Sequence, residues 1–225
     1  MIINHEHPKY IEKWNKIGAG KFNGAYYYSK EICENIIPNV KTDRNWITVN
    51  IIGEAIDHSI VFIHNNIHTD HYDWLKNYND LILVCGVPQT VPKVRHIAKT
   101  IYLPLSVDVM DVAKHYRPIK DREVAFIGRA AKTRNMDIPC IADCVTGLER
   151  EEFLEEVSHY KKVYGVGRAA IEAKILGCDI LPYDPRYMDT SLWEIVDNKD
   201  AARMLQSRLM TIDNAIKEDT NEHQI

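Results

Sequence analysis

The sequence predicts an α/β protein built on mainly parallel sheets. Two features lead there: short apolar runs alternate with helical patterns along most of the chain, and VYGVGRAAIEAKILGCDILPYD at 163–184 reads as strand, glycine turn, helix and strand in that order. The candidate strands are Trp46 to Ile52, Ser59 to His64, Asp80 to Cys85, Thr100 to Leu103, Glu123 to Ile127, Ile138 to Ala142, Lys161 to Tyr164 and Asp179 to Tyr183. Helices are expected at Gly24 to Ile37, where Pro38 stops the run, at Arg150 to His159, at Arg168 to Leu176 with Gly177 at its end, and from Leu192 into the tail. Between Leu103 and Glu123 the run PLSVDVMDVAKHYRPIKDR carries two prolines and a polar, mixed-charge end, the composition of a linker. The chain is therefore read as an N-terminal lobe at 1–105, a C-terminal lobe at 106–190, and a last helix with a fraying polar tail at 191–225.

Composition bounds the function. At 225 residues, with 45% apolar and 27% charged residues, the chain has the balance of a soluble globular protein and the length to bury a sizeable core. No segment approaches the roughly 18 unbroken apolar residues of a membrane span. The start MIINHEHPKY has neither the basic residues nor the apolar run of a signal peptide, so a cytoplasmic protein is expected. A formal charge of −4 lacks the basic excess of a general nucleic-acid binder. Cys33, Cys85, Cys140, Cys144 and Cys178 form no CxxC pair and read as buried reduced thiols.

Chemistry concentrates in the stretch quoted first. Gly165 and Gly167 let a backbone approach a ligand closely, and the helix starting near Arg168 presents unpaired N–H groups and a partial positive charge to an anion such as phosphate. Glu172, one helical turn beyond Arg168, is placed to accept hydrogen bonds from sugar hydroxyls. A close-packed strand-to-helix turn with an Arg168–Glu172 surface pair fits the same local pattern.

Here a resemblance enters. The run GVGRAAIEAKILGCDILPYD resembles the donor-binding region of GT-B glycosyltransferases, in whose retaining members one glutamate of a pair contacts the donor sugar and the second the ribose. Glu172 matches the second, and Tyr164, eight residues earlier, stands where the first belongs. REVAFIGRAAKTRN is similar to the strand and loop opening the C-terminal half of these enzymes. The resemblance puts Arg129 in the arginine position after Gly128 and Arg134 in the lysine position, with Lys132 able to replace either. Such cations would stabilise a departing nucleoside diphosphate. YLPLSVDVMDV is similar to the interdomain segment through Pro104, Val107 and Asp108. KIGAGKFNGAYYYSKEICENI resembles the first loop and helix of the acceptor domain, with Gly18, Gly20 and Gly24 beside the diphosphate, and SIVFIHNN ends a strand with His64, near the reacting sugar in some members.

The resemblance implies two Rossmann-like lobes with a cleft between them, a UDP-, GDP- or TDP-linked sugar as donor, and neither cofactor nor metal. His64, Arg129 and Arg134 would be catalytic. The acceptor is open, a nucleic-acid base being disfavoured by the acidic charge. Two other functions stay open. In HNNIHTDHYD, His64, His68, Asp70, His71 and Asp73 have metal-ligand chemistry, and NIHTDH resembles the HxHxDH signature of metallo-β-lactamase-fold hydrolases with Asn66 in place of the first histidine. Tyr164, in place of a glutamate, fits a GT-B-like protein that binds a nucleotide without turnover.

Overall fold

A computed structural model describes residues 1–16, 24–49, 53–63, 72–128 and 142–222. The protein is α/β with two parallel sheets. In chain order the first elements are β1 (Ile2–Ile3), α1 (Pro8–Lys16), α2 (Gly24–Glu31), β2 (Asn45–Ile47), β3 (Ser59–Ile63), β4 (Leu81–Cys85), α3 (Val91–Val94) and β5 (Lys99–Tyr102). There follow α4 (Val109–Ala113), β6 (Arg122–Ile127), β7 (Asp143–Val145), α5 (Arg150–Val157), β8 (Tyr160–Tyr164), α6 (Arg168–Ile175), β9 (Asp179–Leu181) and α7 (Asn198–Glu222). Among the described residues no helix is long and apolar enough to cross a membrane.

The chain divides into two compact units. One comprises Met1–Lys13, Ser29–Pro104 and Asn198–Ile225, the other Trp14–Tyr28 and Leu105–Asp197. The first unit holds the sheet β1-β2-β3-β4-β5, in straight sequence order and parallel throughout. Its interior strands SIVFI and LILVC are buried along their whole length, as expected of parallel strands covered on both faces.

The second unit holds the sheet β7-β6-β8-β9, again all parallel. The chain leaves β6 for β7 on one side and returns past it to β8 on the other, so the order reverses between β6 and β8. Ala125, Ile127 and Val163 from these strands pack with Leu154 and Val157 of α5 and Ala173 and Leu176 of α6 in one core. The helices bury these faces because a parallel sheet leaves both of its sides apolar.

Several boundaries differ from those expected. The helix begun at Gly24 is α-helical only to Glu31, then widens into a π turn at Ile32–Ile36 and closes as a 3-10 turn at Ile37–Asn39. Pro38, which lacks an N–H, cannot continue the regular ladder. The last helix starts at Asn198 instead of Leu192, because Thr190–Leu192 forms a separate turn whose Ser191 N–H is taken by Asp189. The run read as a linker contains α4, capped by Asp108 accepting from the Asp111 N–H at 2.9 Å, and it buries Leu105, Val107 and Val112. The strand expected from Ile138 lies almost wholly outside the described residues, and β7 follows directly after it.

Candidate functional site

In a parallel sheet with helical crossovers, ligands enter outside the carboxyl ends of the strands, at the place where the strand order reverses. In the second unit that place is set by the ends of β6 and β8, which run side by side with Phe126 opposite Tyr164. Gly128 follows the first strand and Gly165–Gly167 the second. The expected glycines of both motifs therefore meet at one edge.

Local sequence explains the turn after β8. Gly165 is buried, and a Cβ there would stand 2.8 Å from the Ile127 side chain, so the close approach of the two strand ends needs a residue without one. Gly167 is the N-cap of α6 with φ 66° and ψ −142°, backbone open to glycine and closed to other residues. Gly167 has no side chain with which to cap α6, and the first turn of the helix has no acidic residue. The contrast with α5 is sharp. That helix starts at the same edge, but its N-terminus is closed by a capping box of Glu149 and Glu152, with Glu151 adding a further negative charge. Of the two, α6 is the helix whose first turn carries no acidic side chain, so the positive pole of its dipole is not offset there as it is in α5.

Arg168 and Glu172 lie on α6 and are buried, at 7% and 4% exposure. Arg168 Nε donates to Glu172 Oε1 at 2.6 Å, and Arg150, the first residue of α5, donates through its Nη1 to the same oxygen. The Arg150 guanidinium also lies 5.3 Å over the ring of Tyr27, and its Nη2 is 4.0 Å from Asp111 Oδ2. Burial works against the charge of Glu172, but the guanidiniums of Arg168 and Arg150 outweigh it and hold the carboxyl below its ordinary value. The glutamate stays ionised.

No protein family, curated protein or solved structure matches the chain. Function is therefore read from the motifs and the geometry.

Of the site residues named from the sequence, the structure brings together Gly128, Gly165, Gly167, Arg168 and Glu172. Gly24 starts α2 and falls in the same compact unit, with open space where a Cβ would stand. Gly18, Gly20, His64, Arg129, Lys132 and Arg134 lie outside the described residues. So do Asn66, His68, Asp70 and His71 of the histidine-rich loop, while its Asp73 pairs with Lys76 at 2.7 Å and faces His96 at 3.8 Å. Among the described residues no group of three or more His, Cys, Asp or Glu side chains gathers as metal ligands do.

Arg150 and Tyr27 were invisible to sequence reading. Arg150 lies 22 residues before its partner Glu172, and no periodicity links the two positions. The one available signal was its place directly after Glu149, at the start of a recognisable helix.

Proposed function

We propose that this chain is a glycosyltransferase that takes its sugar from a nucleoside diphosphate sugar. The observation that carries the proposal is the reversal of strand order between β6 and β8, which falls where the two glycine motifs of the GT-B resemblance end. In this proposal the diphosphate lies at the uncapped start of α6 against Gly165 and Gly167, with Gly128 and the cations Arg129, Lys132 and Arg134 supplied by the chain after β6. The fold is a GT-B-like pair of Rossmann-like lobes, with the acceptor held by the first.

A nucleophilic oxygen or nitrogen of the acceptor forms a bond to the anomeric carbon, and the bond from that carbon to the diphosphate oxygen breaks. The bonding pair leaves on the diphosphate, and the acceptor's proton passes to a base, for which His64 is the candidate. The chain's contribution is positioning and fixed positive charge where the leaving group becomes more negative.

Tyr164 favours a second function, binding without transfer, because a phenol at the end of β8 replaces the carboxylate that would face the donor sugar. Incubation with UDP-, GDP- and TDP-sugars separates the two. Transfer or slow hydrolysis releases the nucleoside diphosphate, and replacing Arg168 by Met lowers the rate about 10- to 100-fold, the worth of one hydrogen bond to a charged group. Saturable binding with no release supports the second function, and an absence of binding by every sugar nucleotide refutes both.

A further inference from the structure

Arg168 and Glu172 sit the wrong way round for the helix that carries them. A guanidinium at the first position of α6 opposes the positive pole of the helix dipole, and arginine placed four residues before glutamate is the weaker orientation of such a pair. In an isolated helix the exchanged order would be the more stable one. Burial adds a second cost, since both side chains are almost fully removed from water and each charge loses its hydration. The arrangement is therefore poorly explained by stability. Sites where local preference is overruled in this way are where function is expected.

The geometry points to a positioning role for Glu172: its carboxylate holds Arg168 and Arg150 side by side at the carboxyl edge of the sheet, and the arginine pair meets a ligand of the nucleoside diphosphate class. This rests on the sugar-nucleotide proposal and departs from the resemblance, which gives Glu172 the ribose. One oxygen of Glu172 accepts from both guanidiniums, so two like charges are brought to a separation that they would not keep without it. The Arg150 guanidinium lies over the Tyr27 ring, a cation–π contact that helps to hold it in place. Planar, permanently charged forks in fixed orientation suit phosphate oxygens, to which they donate in pairs. The pair stands at a helix start whose first turn lacks acidic residues, so the helix dipole and the two side chains favour ligands of the same sign.

The test compares ADP, GDP and UDP with their 2′,3′-dideoxy counterparts by titration calorimetry, using wild type, Glu172→Gln and Arg150→Met, each checked for folding by circular dichroism. Both variants are expected to lose about tenfold or more in affinity for the diphosphate that wild type binds best. In Glu172→Gln the affinity ratio between that nucleotide and its dideoxy form stays at the wild-type value. Collapse of the ratio would show the carboxylate on the ribose and overturn the positioning role, leaving the sugar-nucleotide proposal intact. Should Glu172→Gln fail to fold, Arg150→Met decides, because it leaves the Arg168–Glu172 pair whole; unchanged affinity in it overturns the inference. A wild-type protein that binds none of these diphosphates, nor TDP titrated beside them, overturns the inference and its parent together.

Discussion

His58 and Asp80 hold their backbones at φ 57° and 50°, a left-handed conformation that costs a residue with a side chain on the order of 1 kcal/mol. Each precedes a strand of the first unit, and their side chains offset the cost by bonding one another. His58 Nδ1 donates to Asp80 Oδ2 at 2.5 Å and its Nε2 faces Asp43 at 3.2 Å. Buried Arg44 donates to the Asp80 carbonyl at 2.9 Å, lies 3.0 Å from its carboxylate, and faces Asp213 of α7 at 3.8 Å. The bond from Asp80 raises the pKa of His58 above its ordinary 6.5. A folded-state pKa above the unfolded one gives stability that is fully present below about pH 6.5 and is lost as pH rises through the folded value. Wild type should therefore melt above His58→Asn, which tolerates the same backbone, by a margin that shrinks from about pH 5.5 to about pH 8.5. A margin constant over that range would contradict the pairing. Glu172 shows the limit of reading single residues from sequence. Its type and its place on α6 were legible, but its burial depends on Arg150, and a partner from another helix leaves no local trace.

At the scale of elements, the turn between β8 and α6 is the most constrained piece of the second unit. Gly165→Ala would drive a methyl group into Ile127, a fully buried core residue, and overpacking of this kind costs about 1–3 kcal/mol. The urea midpoint should fall accordingly, and an unchanged midpoint would show that the strand ends have room to part. The interior strands were readable because buried parallel strands are continuous apolar runs, as SIVFI and LILVC are. β1 has two residues and no period to detect, and β7 exposes two of its three residues, so pairing with β6 defines it better than composition does. α1 was legible in Pro8 at its first position and in Tyr10, Ile11 and Trp14 at helical spacing, but at nine residues the signal is short.

For the whole molecule, the sequence carried the α/β class and parallel sheets, since alternation of apolar runs and helices is a local pattern repeated along the chain. Strand order was not legible. Nothing local separates the straight order of the first sheet from the reversed order of the second, yet the reversal is what singles out the ends of β6 and β8 as the edge where folds of this kind take ligands. The same holds for grouping: Trp14–Tyr28 belongs with the second unit and Asn198–Ile225 with the first, assignments made by contacts distant in sequence. The proposed donor site depends on that edge of the second sheet. Protein labelled with 15N-glycine and titrated with UDP-, GDP- and TDP-sugars tests it most directly. One of these ligands is expected to shift the amide resonances of Gly128, Gly165 and Gly167 together and saturably, leaving Gly53 and Gly86 of the first unit unmoved. Binding that perturbs glycines elsewhere and leaves these three unchanged, or no binding by any of the three classes, would contradict it.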